Sequence, residues 1–399
     1  MAKRVDALVT PEMLEWARRR AYFNMGGAAK RLGVTVDRLE SFESGEKKPT
    51  ILQAVKMAKL YRVPLSAFYL DAPPTDSSVV MTDFRRLPER SEGQSPALAK
   101  EIDIALARQQ IVIDLSDDPQ EGRFPLNEAI LLSDPQDAVV RMIREALRVT
   151  WAEQKSWRTR YDALNNWRLR IESFNVLVFH TNHLGDSVPL EEMRGFSIGA
   201  ERFPVIVLNS ADSVYGRVFT LLHELTHLML GRWGICDTSQ YLSPATTTQQ
   251  VEVFCNSIAG SVLVPGSILL AHDVVSSHGE SPIWTEHEID TLSHDFSTSN
   301  EVIVRRLLTL GLTSDKFYEQ RRQEYQERFL ESRRSGNSED GSRNVPPYYR
   351  MVLRRNGKPY TRRVLDAYNS NQITLSSALG YLDIKVKHLD RVLREVYSP

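Results

Sequence analysis

Cysteine is nearly absent: Cys236 and Cys255 are the only two in 399 residues. A disulfide framework is therefore not what holds this chain together, and a reducing cytoplasm is the expected compartment. There is no apolar run of about 18 residues, so no segment is expected to span a membrane. The opening residues, MAKRVDALVTPEMLEW, have basic groups without an apolar stretch behind them, unlike a secretory signal. An excess of charge is missing too, with 50 Lys and Arg against 51 Asp and Glu. The balance is uneven, however. Residues 1–71 hold thirteen basic and eight acidic groups, or +5, and residues 345–399 hold ten and four, or +6. The centre must then sit at −12 to give the overall −1. Basic ends on an acidic centre suit modules that meet nucleic acid, though solvated helical domains can look the same.

A chain this long is expected to divide into two or three domains. Punctuation at Gly26-Gly27, Gly33, Gly45, Pro49 and Pro64 predicts five short helices over 11–70. Residues 1–72 then form a first domain and 73–154 a linker and helical connector. Helices are expected near 96–115, 136–150 and 157–172. The runs Asn175–His180, Met193–Ile198 and Pro204–Asn209 read as strands, the first and last being rich in Val, Ile, Leu and Phe. Helices follow over Ser213–Leu230, Gln249–Leu263, 286–295, 299–310 and 314–334. Residues 155–334 form the central domain, SGNSEDGSRNVP marks a flexible linker over 335–346, and 347–399 make a small helical module. The fold class expected is α+β, with all-helical ends.

Within the first domain, Ala28 to Leu39 has a helix-turn-helix pattern. A small residue allows close approach, Gly33 turns the chain, and Val34, Val36 and Leu39 should bury the second helix. With Phe42-Glu43-Ser44-Gly45 and Lys48-Pro49-Thr50, the segment resembles the XRE-type helix-turn-helix family over nearly all of 11–70. Thr35 and Arg38 are the candidate DNA contacts. Asp37, Glu40 and Glu43 on the same helix oppose phosphate.

The C-terminal module echoes this spacing: Ala378, Leu382, Ile384, Val386 and Leu389 repeat Ala28, Leu32, Val34, Val36 and Leu39. Its second helix displays Lys385, Lys387, His388, Arg391 and Arg394, so on charge it is the better nucleic-acid candidate, with Lys385, Lys387 and Arg391 as contacts. Five apolar matches are easily shared by two helical hairpins. The sequence thus leans toward a hairpin that packs on the central domain or on a partner.

The chemistry sits in His223-Glu224-Leu225-Thr226-His227. On a helix, histidines four apart leave the same face and can share one metal ion, with Glu224 beside the remaining position to take a proton from water. Leu221, Leu222, Leu225, Leu228, Met229 and Leu230 demand burial of the same helix. Ionisable groups buried there need a strong partner, and a metal supplies one. Zinc is the expected ion, although imidazole and carboxylate also suit manganese, iron or cobalt. Glu252 is the preferred third ligand and Asp237 the competitor, Gln249 and Gln250 being neutral and poorer. Asn256, one turn after Glu252, could hydrogen-bond a ligand. His180, Tyr215 and His272 are candidates to stabilise an oxyanion. Cys236 and Cys255 are expected to be small buried hydrophobes, and His278, His287 and His294 exposed.

The run from Phe219 to Leu228, Glu252 with Asn256 and Ala259, and the closing Leu263-Val264-Pro265 together resemble the ImmA/IrrE family of zinc metallopeptidases over about 155–315. Met193–Ser197 and the strand Pro204–Asn209 fit the same pattern. Many members carry Glu-Ala-Asn where this chain has Phe254-Cys255-Asn256. The resemblance implies a zincin-like domain, ligands His223, His227 and Glu252, Glu224 as catalytic base, and a protein substrate such as an XRE-type repressor. Two rival expectations remain. One is a transcriptional regulator whose peptidase-like domain senses a metal or ligand without turnover. The other is an antitoxin-type protein that binds a partner encoded nearby.

Overall fold

The computed structural model describes residues 5–73, 95–181, 187–231, 247–334 and 347–398. The protein is α+β, dominated by helices with one three-stranded sheet. Two compact units meet within one helix, Met1–Ile104 and Ala105–Pro399.

In the first unit, α1 (Pro11–Arg20), α2 (Met25–Leu32), α3 (Val36–Glu43) and α4 (Ile51–Tyr61) are followed by a 3₁₀ turn, Leu65–Tyr69. Each helix start is written locally. Asn24, Thr35 and Thr50 accept backbone N–H bonds at the starts of α2, α3 and α4, satisfying donors that lack intrahelical partners. Gly33 takes φ 70°, a left-handed turn that costs a glycine nothing. Leu39 and Phe42 from α3 join Met13, Leu14, Ala28, Met57, Tyr61 and Phe68 in one core. Val36 does not follow the expectation of burial. It begins α3, points outward and is 43% exposed.

The division falls inside α5 (Pro96–Asp114), and in the second unit α6 (Gln136–Ala146), α7 (Trp151–Ser156) and α8 (Arg160–Glu172) precede the sheet. The helix expected over 157–172 is α8, capped by Thr159, while the one expected over 136–150 ends early at Ala146. Thr150 starts the short α7, which was not expected, and the chain breaks after it at Trp157, whose ring packs edge-on to Trp167. The sheet comprises β1 (Leu177–His180), β2 (Gly195–Ile198) and β3 (Val205–Leu208) in the order β1-β3-β2. β3 runs parallel to β1 and antiparallel to β2. All twelve strand residues are buried, so the alternation of a half-exposed sheet is missing.

Two long helices cover the site: α9 (Val214–Met229) packs against β2, β3 and α8, and α10 (Thr247–Leu263) packs against α9. Ser213 caps α9 by accepting from Gly216 at 2.9 Å. The end of α10 is pinned by side chains that satisfy its last carbonyls. Arg144 donates to Val262 at 2.7 Å, Gln154 to Leu263 at 2.9 Å and Arg306 to Val264 at 3.0 Å. A helix held in this way presents its earlier turns in a fixed rotation. α11 (Gly266–Leu270), α12 (Asp273–His278), α13 (Glu286–Asp295), α14 (Asn300–Thr309) and α15 (Asp315–Arg334) follow. Ile289, Leu292, Phe296, Ile303, Val304 and Leu307, from α13 and α14 and the turn between them, complete the core.

The last helices are α16 (Tyr348–Asn356), α17 (Lys358–Asn369), α18 (Leu375–Leu382) and α19 (Leu389–Tyr397). α16 lies against β1, and Phe179 meets Tyr360 edge-on with ring centroids 5.6 Å apart. The C-terminal module is thus docked on the sheet.

Candidate metal centre

His223 and His227 leave the same face of α9, as their spacing requires, and their Nε2 atoms approach to 3.1 Å. Glu252, on the facing turn of α10, places Oε2 3.3 Å from His223 Nε2 and Oε1 3.2 Å from His227 Nε2. Among the described residues this is the only group of three metal-capable side chains that converges in this way. A tetrahedral ion bound at about 2.0–2.1 Å would hold its donors about 3.3 Å apart, close to the edges seen here. The donor set therefore fits a divalent ion of the zinc class. Asp237 and Cys236 lie outside the described residues.

Burial sharpens the chemistry. His223, Glu224 and His227 are 0%, 1% and 3% exposed. Burial pushes the Glu224 carboxyl above its ordinary range, against the pull of the two imidazoles and Ser197. Burial acts on Glu252 in the same direction, but hydrogen bonds to His223 and His227 outweigh it and hold that carboxylate below its usual range. Two carboxylates in one pocket are thereby driven apart, one toward holding a proton and the other firmly charged. His223 Nδ1 is buried without a hydrogen-bond partner, so its ring is oriented by packing, including a stacked Phe219 at 6.3 Å.

Ser197, a residue that spacing arguments pass over, donates from Oγ to Glu224 Oε2 at 2.8 Å. It sits on β2, and so does the glycine that lets the strand lie on α9. A Cβ at Gly195 would fall 2.4 Å from Thr220 Cγ2, 3.0 Å from the Val207 carbonyl oxygen and 3.6 Å from Glu224 Cγ. A glycine inside a strand next to a candidate site signals close approach. Gly195→Val should separate β2 from α9 and cost about 1–3 kcal/mol, as overpacking does. A urea melt unchanged from wild type would refute this close-packing account.

The remaining sequence candidates are placed as follows. Asn256 follows Glu252 by one turn, but its buried Oδ1 accepts no hydrogen bond, so it does not orient either imidazole through that atom. His180 lies on β1, across β3 from β2, and Tyr215 stands eight residues before His223, about 12 Å along the helix. His272 is occupied by Asp295 at 3.1 Å and by capping α12. Cys255 is buried on α10, and burial raises its thiol. His287 and His294 are exposed, but His278 is not. It stacks on Trp284 at 3.6 Å and pairs with Glu288 at 2.7 Å, an aromatic and carboxylate environment that the expectation of exposure overlooked.

Of the proposed DNA contacts, Thr35 is exposed and caps α3, while Arg38 lies 5.0 Å over the Phe42 ring. The acidity of α3 is smaller than its sequence suggests. Glu43 is bound inward by Arg18 at 2.8 Å, which leaves Asp37 and Glu40 on the exposed side. Lys385, Lys387 and Arg391 are exposed in the C-terminal module.

No curated protein and no solved structure matches the chain. Two family models do match. One covers residues 14–68 and is described as helix-turn-helix. The other, for the peptidase M78 family, covers residues 171–308 and so spans the sheet, the His-Glu-His helix and Glu252. Residues 171–308 thus match the IrrE N-terminal-like domain family, on the same chain as a helix-turn-helix domain at residues 14–68.

Proposed function

We propose that the central domain is a zinc-dependent endopeptidase of a regulatory system and that it cuts a repressor-type protein. The observation that carries the reading is the convergence of His223, His227 and Glu252 at 3.1–3.3 Å beside a buried Glu224. These three residues would hold a divalent ion, which when bound would supply Lewis acidity to the site. Glu224 takes the proton from the attacking water and passes it to the leaving amine. A carboxyl raised by burial is a stronger base than an ordinary one, which suits it to take the proton that it later returns. Ser197 holds the Glu224 carboxyl in place between the strand and the metal-binding face.

Substrate binding follows from the sheet. The strand entering α9 is β3, which is paired on both sides. β2 is the edge next to Glu224, so the substrate main chain adds to β2 as a further strand. A repressor as substrate is supported by the family match and by the DNA-binding-type domain on the same chain.

Metal analysis of the purified full-length protein tests the ligand set. We expect about one zinc per chain, with loss of at least tenfold in affinity in Glu252→Ala and unchanged occupancy in Glu224→Gln. A wild-type chain that takes up no divalent metal when zinc is supplied would sink the peptidase reading and favour a ligand-sensing regulator.

A further inference from the structure

The 350-residue echo between the two ends extends to the backbone, at a level apolar spacing does not dictate. α2 and α18 have eight residues each and begin at the same point in the repeat. Their caps, Asn24 and Thr374, have φ/ψ of −72°/163° and −75°/160°, and each side chain accepts an N–H bond three residues on, from Gly27 and Ser377. Both helices end in a left-handed residue, Gly33 at φ 70° and Asp383 at φ 52°. Both are closed by the same reverse bond, Val34 N to Ala29 O at 3.0 Å and Ile384 N to Leu379 O at 3.1 Å. Thr35 and Lys385 then return to extended backbone, at −75°/159° and −87°/149°.

The second helices match in their faces as well. Leu39 and Phe42 are buried, as are Leu389 and Val392, and at the first position Val36 and Val386 are both exposed. A hairpin designed only to fill a core would have no reason to expose an aliphatic side chain there twice. In a helix-turn-helix, the start of the second helix is the part that enters the major groove. One difference is local: residues Val386–His388 form a 3₁₀ turn before α19 begins.

We propose that residues 358–397 form a second helix-turn-helix that binds duplex DNA, with Lys385, Lys387, Arg391 and Arg394 on phosphates. All four are exposed. The nearby acids do not cancel them. Asp383, though exposed, is paired with Arg355 at 3.0 Å and Glu395 with Arg350 at 3.7 Å, leaving Asp390 as the exposed acid outside these pairs. His388 is turned against the Tyr348 ring at 4.2 Å. At the corresponding positions the first module has Thr35 for Lys385, Asp37 for Lys387 and Ser44 for Arg394, while Glu40 matches Asp390, so the two modules share a backbone but differ in charge. This inference does not depend on peptidase activity.

The test uses the full-length protein and a labelled mixed-sequence duplex of about 20 base pairs, titrated at several salt concentrations. Lys385→Ala/Lys387→Ala/Arg391→Ala should weaken binding by at least tenfold at low salt and reduce the slope of log K against log salt by about 2.7. Lys387→Glu/Arg391→Glu should weaken it further, with unchanged helicity showing that the module remains folded. Wild-type affinity and slope in both variants would overturn the proposal, because the duplex would then be held by other groups. Tighter binding of single-stranded RNA than of duplex DNA would overturn it too.

Discussion

Glu224→Gln should lower peptide hydrolysis by about 10²–10⁴-fold while leaving the metal in place. The substitution keeps the volume of the side chain and its ability to accept from Ser197, so the strand-to-helix contact survives. What disappears is a site that can take a proton. Glu224 lies outside the three-donor cluster, so occupancy should remain near one ion per chain. The pairing of these results is what separates a base from a ligand. If hydrolysis falls together with metal content, Glu224 is holding the ion or the fold. If hydrolysis is unaffected, the proton leaves by another route and the proposed mechanism is wrong. The readout is turnover of a candidate repressor by the purified protein, followed by gel or mass spectrometry, with metal content measured on the same sample.

The site was legible in sequence where chemistry and helical period coincide. His223 and His227 had to share a face, and an apolar stripe through the same residues implied burial. Glu252 was reachable because a carboxylate on a neighbouring amphipathic helix is a natural third donor, although spacing alone left Asp237 in competition. Ser197 was not reachable in this way. Its role depends on how β2 is rotated over α9, which rests on Gly195 and on antiparallel pairing between β2 and β3, in which Ser197 faces Ile206. Element boundaries were legible where a cap marked them, as at Ser213 and Thr285. The helix expected over 157–172 formed as α8 from its Thr159 cap, but the six-residue α7 before it, started by Thr150, is too short for apolar periodicity to mark. Position 36 shows the remaining limit. Periodicity marks Val36 as a core residue, but the first residue of a helix points away from the partner that buries its later turns.

Arg168→Met should destabilise the protein by about 3–5 kcal/mol, because it strands a charge in the seam between the sheet and the C-terminal module. Arg168 and Glu172 are both buried and joined at 2.7 Å. The same guanidinium donates to the carbonyls of Val178 on β1 and Arg354 on α16, the latter at 3.0 Å. It thus ties α8, the sheet and the last helices together. Gly357 completes the fit. Its φ is 77°, and a Cβ there would fall 2.8 Å from the guanidinium and 3.1 Å from the Glu172 carboxyl. Burial already raises the Glu172 carboxyl, with Arg168 pulling against it. The folded form therefore holds that proton more tightly than the unfolded chain. Stability from this group is present below the unfolded pKa of about 4.3 and is lost as pH rises through the raised folded value. Without Arg168 the folded value rises further, so the deficit of the variant should be smaller near pH 5 than near pH 8. Removing both charges, in Arg168→Met/Glu172→Leu, should recover most of the loss, since an apolar pair needs no compensation. Urea midpoints for the three proteins at both pH values decide it. A single variant within about 0.5 kcal/mol of wild type would show that water reaches the pair and that apolar contacts such as Phe179 with Tyr360 hold the seam.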